Sequence, residues 1–238
     1  MMDDSVMQME IAGKKIRVIG KEGVHPETMI YAISFEAKGP QAVEKCLKLG
    51  VSENELLMVE ITGLRWDEEL SPWPEALKDM HCTGEADACL KTLTENICPR
   101  VEEKLGYVPK KRILAGYSMA GLFSLYALYK TEVFNSIASV SGSLWYPKFK
   151  EYAMTTPFAC HPEHIYLSLG DRESRTRHPL FRTTQSNYEE LRDFYAGQNL
   201  DSIFELNSGN HFQDPAGRVA KGIAWLLRSG RQEEGILR

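Results

Sequence analysis

The chain has no apolar run approaching the 18 or so residues that a membrane-spanning helix requires. Its amino end, Met1 to Ser5, also lacks a basic patch followed by an apolar core. Membrane insertion and export by the usual signal are therefore disfavoured, and a cytoplasmic location without a membrane partner is expected. Positive charge is in short supply as well. Against 33 Asp and Glu there are 28 Lys and Arg, a net charge of −5, which suits non-specific nucleic-acid binding poorly. The five cysteines, Cys46, Cys82, Cys89, Cys98 and Cys160, are odd in number and contain no Cys-x-x-Cys pair, so free thiols are expected. The six histidines are scattered, with no His-Glu-x-x-His and no His-x-His, and no metal or other cofactor is expected. Low-complexity runs, long Pro/Gly linkers and internal repeats are missing too. A chain of 238 residues, 43% hydrophobic, is then expected to form one domain over residues 1–238; no feature specifies an oligomeric state.

What the chain does have is Gly116-Tyr117-Ser118-Met119-Ala120-Gly121. Before it, Lys111 to Ala115 reads as a short strand announced by Val108-Pro109; after it, Leu122 to Tyr129 is an apolar-rich run suited to a buried helix. A serine between the two sits in a very tight turn, and Gly116, Ala120 and Gly121 are small enough to let strand and helix approach. This is the placement of a serine nucleophile: the hydroxyl stands above the carboxyl edge of a sheet, and the N–H of Met119 points from a helix N-terminus toward a developing oxyanion. The usual pattern has glycine at the fifth position, where this chain has Ala120.

A serine nucleophile needs a base, and on such a sheet the order is serine, acid, histidine. His211 fits, in a turn-rich loop (Asn207 to Asn210) between a late strand, Asp201 to Leu206, and a closing helix from Ala216 to Leu227. His178 is the reserve. His161 and His164 fall at the start of a strand, the wrong end of the sheet. The acid should accept the other ring N–H of the histidine. The strand ending at Leu169 delivers Gly170-Asp171-Arg172-Glu173, with both acids in the right loop. Glu173, three residues after the glycine, is preferred, and Asp171 is the alternative, suited also to bracing the turn.

Four segments in order resemble the putative-esterase family of α/β-hydrolases, the group of siderophore (enterobactin-type) esterases, S-formylglutathione hydrolase-like enzymes and feruloyl esterases. They are Gly116 to Gly121, Phe134 to Tyr146 with its Ser-Gly-Ser-aromatic loop, Arg65 to Trp73, and Asn210-His211-Phe212. The resemblance runs from about residue 27 to about residue 228. It implies an α/β-hydrolase fold, a mostly parallel central sheet with an antiparallel N-terminal edge and helices on both faces. It also implies hydrolysis of a small-molecule ester through an acyl-serine, with Ser118 as nucleophile and His211 as base. A Ser-His pair without an acid is described for part of the siderophore-esterase branch. A thioesterase, peptidase or acyltransferase, or a non-catalytic binding protein, would use the same fold.

The chain departs from that family after the strand Met29 to Ser34. Members carry a His-Gly or Asp-Gly pair there; this chain reads Phe35-Glu36-Ala37-Lys38-Gly39-Pro40. Any residue but proline can donate a backbone N–H, so Phe35 or Glu36 is expected to complete the oxyanion hole with Met119. A Glu36 side chain turned inward would oppose the developing charge. Trp66, Trp73, Trp145, Tyr146 and Phe212 follow strands at the same edge and are candidates to hold a bulky or aromatic substrate. Arg175 and Arg177, in the acid loop, are candidates to receive an anionic group.

Overall fold

A computed structural model describes residues 5–236. In chain order the elements are β1 (Ser5–Ile11), β2 (Lys14–Gly20), β3 (Thr28–Ile33), α1 (Gly39–Lys48), β4 (Leu57–Thr62), α2 (Trp66–Glu69), β5 (Pro74–Glu75), β6 (Cys82–Thr83) and α3 (Ala86–Thr92). A π-helical segment (Leu93–Ile97) leads into α4 (Cys98–Leu105), β7 (Lys111–Tyr117), α5 (Met119–Ala127), β8 (Ser136–Val140) and α6 (Phe149–Thr155). The chain continues through β9 (His164–Gly170), α7 (Pro179–Arg182), α8 (Thr184–Gly197), β10 (Asp201–Asn207) and α9 (Pro215–Ile236).

Eight strands form one sheet in the order β1-β2-β4-β3-β7-β8-β9-β10. The first two contacts, β1 with β2 and β2 with β4, are antiparallel, and every later pair is parallel. This is the α/β-hydrolase fold. The inner parallel strands are buried on both faces, so β9, His164–Gly170, is buried throughout and shows no apolar-polar alternation, whereas the edge strand β10 is only partly buried. On one face lie α1 and α9, over an alanine-rich layer that includes Ala32, Ala115, Ala138, Ala220 and Ala224. On the other, α5 packs against β7 and β8. All nine residues of α5 are buried, which is why its sequence has no polar stripe.

The order of strands decides where a site can form. From β3 the chain moves outward to β4, then returns to place β7 on the other side of β3. The loops after β3 and β7 therefore part from each other and leave a crevice at the carboxyl edge of the sheet, the place where open α/β sheets bind ligands. Phe35 follows β3, and Ser118 follows β7.

Two local features follow from prolines. In the region of Pro72 and Pro74, regular structure is limited to a two-residue antiparallel ladder between Pro74–Glu75 and Cys82–Thr83. The helical stretch that starts at Ala86 is interrupted ahead of Pro99 by a wide π turn: lacking an N–H for the carbonyl four residues back, the proline is accommodated at the second position of α4 after the Leu93–Ile97 segment. All five cysteines are free. No helix among the described residues is long and apolar enough to cross a membrane.

Candidate active site

Ser118 has φ 60° and ψ −124°, a region that non-glycine residues rarely occupy. The surroundings hold it there. Its N–H donates to Val140 O (3.1 Å), and its carbonyl accepts from Leu122 N (3.1 Å) and Ser143 N (3.0 Å). Tight packing explains the small neighbours: a Cβ on Gly116 would lie 2.1 Å from Ala120 O, and one on Gly121 would lie 2.8 Å from the Cα of Gly142. Ala120 at the usual glycine position is buried and fits, because the close approach is made at Gly121 instead.

The hydroxyl of Ser118 lies 3.1 Å from His211 Nε2, and His211 Nδ1 lies 2.7 Å from Glu173 Oε2. The second oxygen of Glu173 accepts three hydrogen bonds, from Gly170 N (2.6 Å), Ser141 Oγ (2.8 Å) and the Arg218 guanidinium (2.7 Å). Burial disfavours the charged form of Glu173, but the hydrogen bond and charge of His211, the Ser141 hydroxyl and the Gly170 N–H outweigh it and hold the carboxyl below its ordinary value. An ionised carboxylate only accepts, so Nδ1 of His211 carries its proton and donates to Glu173. Nε2 is thereby left as the acceptor for the serine O–H.

Asp171, the alternative acid, faces another way. Its Oδ1 accepts the N–H of Gly209 (2.8 Å), while its own N–H donates to Asn207 O (2.8 Å), so it ties the acid loop to the histidine loop. The other histidines are elsewhere. His178 stacks on Phe181, and His164 is buried against Asp201 at the amino end of β9.

Met119 N–H belongs to the first turn of α5, where a helix offers it no internal acceptor. Across the crevice, Ser34 N–H still bonds to Ile61 O (3.0 Å), so Phe35 is the first residue clear of the ladder. The Glu36 carboxylate pairs with Lys38 (2.5 Å) and is 59% exposed, turned toward solvent.

A cavity of about 420 Å³ opens between these loops and is lined by Ser118, His211, Phe35, Glu36, Trp66 and Phe212 at its mouth. Phe35 and Phe212 are 70% and 84% exposed; Phe35 meets Trp66 edge to face at 5.2 Å and Phe212 meets His211 at 5.4 Å. The other expected substrate contacts lie outside this cavity. Trp73 donates its indole N–H to Pro147 O (3.1 Å) and packs on Phe149 and Tyr152. Tyr146 is buried and donates to Trp73 O (2.6 Å). Trp145 packs on Phe181, and Arg175 and Arg177 are exposed on the acid loop. These aromatic side chains turn from the strand ends into packing rather than into the crevice.

Residues 64–213 match the family described as Putative esterase. The chain belongs to that family. It is 26% identical over 188 residues to the uncharacterized protein YbbA of Bacillus subtilis (strain 168), covering 74% of this chain and 75% of YbbA. Among solved structures it resembles the siderophore hydrolase EstA of Aspergillus nidulans, with TM-score 0.75, 20% identity and coverage of 93% of this chain and 94% of EstA. It also resembles the BES protein of Bacillus cereus, with TM-score 0.74, 17% identity and coverage of 95% and 97%. Family membership makes this esterase-family chain a hydrolase.

Sequence reasoning missed Arg218 altogether. The guanidinium is 3% exposed and, besides Glu173, donates to Ser141 Oγ (3.0 Å), Ser208 O (3.1 Å) and Asn210 O (3.0 Å), joining α9 to both the acid loop and the histidine loop. Its only signal was a lone arginine among the small and apolar residues that begin α9. Arg218→Ala leaves a buried carboxylate and two carbonyls short of donors, and a cost of about 3–5 kcal/mol is expected. For a chain of this size the melting temperature should then fall on the order of 10 °C. Arg218→Lys, which keeps the charge without the fork, should fall between. Thermal melts of the three proteins check this, and an Arg218→Ala melt indistinguishable from the parent refutes it.

Proposed function

We propose that the protein is a serine esterase that cleaves a carboxylic ester of a small molecule through an acyl-serine intermediate. The observation that carries this reading is the hydrogen-bonded chain from Ser118 through His211 to Glu173, at the sheet edge of an esterase-family fold. His211 removes the Ser118 proton as the oxygen attacks the ester carbonyl. The N–H groups of Met119 and of Phe35 or Glu36 stabilise the oxyanion, and the outward Glu36–Lys38 pair keeps the carboxylate charge away from it. His211 then protonates the leaving alcohol, Glu173 stabilises the imidazolium, and a water activated by His211 releases the acid. The exposed rings of Phe35 and Phe212, with Trp66, give the mouth an apolar rim suited to a bulky or aromatic group, and the similarity to a siderophore hydrolase makes siderophore esters substrates to test. A cytoplasmic site of action accords with the reading.

A fluorophosphonate probe should label the folded protein at Ser118, and p-nitrophenyl esters should be turned over without added metal or cofactor. Matched ester, thioester and amide substrates separate an esterase from a thioesterase or peptidase. A folded protein that takes no label at Ser118 contradicts this mechanism.

A further inference from the structure

The cavity does not end at its mouth. Its floor is a row of side chains on three neighbouring strands, Ala115 on β7, Ala32 on β3 and Glu60 on β4, which the strand register places side by side. Two strand spacings make this floor about 10 Å long. It runs under the space between the starts of α1 and α9, where Gly39, Ala42 and Ala216 form the opposite wall. The slot exists because Ala32, Ala115, Gly39, Ala42 and Ala216 are small where the sheet faces the two helix starts; Met58 and Val219 also line it. At its far end sits Glu60, 1% exposed, a buried carboxylate in an otherwise apolar hollow. Its Oε2 accepts from Arg17 Nε (3.1 Å) and Nη2 (2.6 Å), and its Oε1 accepts from Gly39 N (2.5 Å).

We infer that this slot receives the acyl part of the substrate, an unbranched apolar chain that ends in a hydroxyl donating to Glu60. The direction of the slot identifies the acyl part. The leaving oxygen must lie beside His211 to be protonated, and His211 and Glu173 come from the loops after β10 and β9, on the far side of β7 from the slot. The acyl part therefore points the other way, toward β3 and β4. The small walls admit a slender chain and reject a branched or cyclic one. At the end, a carboxylate has about four acceptor positions, three of which are filled here, and one remains on Oε1. Arg17 already balances the charge of Glu60, so a neutral donor fits where an ammonium would leave a buried excess of positive charge.

The inference rests on the serine-esterase reading, and the test separates the two. The p-nitrophenyl esters of acetate, octanoate and ω-hydroxyoctanoate are compared on the parent, on Ala32→Leu and Ala216→Leu, and on Glu60→Met, with a thermal melt of each. In the parent, kcat/KM should be at least about tenfold higher for octanoate than for acetate, and higher again by several-fold for the ω-hydroxy ester. Each leucine variant should lower the octanoate-to-acetate ratio about tenfold, because the added side chain fills the slot. Glu60→Met should erase the preference for the hydroxyl; if that variant does not fold, the parent's preference and the leucine ratios decide. Acetate turnover with no preference for octanoate, or leucine variants with the parent's ratio, overturns the acyl slot while the esterase reading stands. A preference for octanoate without one for the hydroxyl overturns the role of Glu60. A parent that neither hydrolyses acetate nor takes a fluorophosphonate label at Ser118 overturns both readings.

Discussion

Ser118→Ala should lower kcat/KM for a p-nitrophenyl ester by about 10⁴–10⁶-fold and abolish fluorophosphonate labelling, with the fold intact. The loss is large because the hydroxyl has no substitute. A water in its place would have to be positioned by His211 alone, without the covalent intermediate that divides the reaction into two easier steps. Stability should hardly change, since alanine at φ 60° meets the same backbone strain as serine, and the bonds that fix the turn are made by backbone atoms. Glycine at this position should give the same loss of activity together with a small rise in melting temperature, because it adopts positive φ without penalty. Circular dichroism melts and initial rates on the two variants check both halves. Parent-like rates in folded Ser118→Ala would remove Ser118 from the mechanism.

The strained turn is also the part of the site that the sequence reveals most directly. A tight strand-to-helix reversal tolerates only small residues where backbones touch, so Gly116, Ala120 and Gly121 mark it without any tertiary information. The shift of the last glycine by one residue is explained by Gly142, which lies against Gly121. Inner strands such as β3 and β8 were legible for a similar reason, as short apolar runs, while the parallel sheet with its antiparallel edge was implied by the resemblance to the esterase family. Side chains whose role depends on a distant partner were not. Trp73 follows a strand region and was expected at the crevice, but its indole finds the carbonyl of Pro147, seventy-four residues along the chain, and its ring joins a buried aromatic cluster. Arg218 and Glu60 are buried charges whose partners come from other elements, and nothing local distinguishes them from surface residues. The alanine walls of the slot read as ordinary core for the same reason: a small residue records that something is close, or that something has been left out, and only the packing tells which.

The acid is where sequence left two residues open, and where geometry leads to the second large effect. Glu173→Gln should reduce kcat by about 10³–10⁴-fold while Asp171→Asn changes it by less than about tenfold. The amide must place one oxygen and one NH2 where two carboxylate oxygens stood. Three donors converge on Oε1, from Gly170 N, Arg218 and Ser141, so the amide oxygen belongs there. The NH2 group then faces His211 Nδ1 and forces that nitrogen to become an acceptor. The ring proton moves to Nε2, which points at Ser118 and can no longer take its proton. Asn at 171 can still accept the Gly209 N–H through its own oxygen, so the loop brace survives. The Glu173→Gln variant also carries a pH signature. The folded carboxyl of Glu173 lies below its ordinary value, so its ionised form stabilises the protein above the ordinary carboxylate range and that stability is lost as pH falls through the lower folded value. Melting temperature plotted against pH should therefore decline less steeply on the acid side for Glu173→Gln than for the parent. A Ser118–His211 pair working without an acid predicts otherwise for Glu173→Ala, which presents no donor to Nδ1 and leaves Nε2 free to accept: a folded Glu173→Ala would then retain kcat within about tenfold, whereas an acid that holds the tautomer and stabilises the imidazolium predicts a loss close to that of Glu173→Gln.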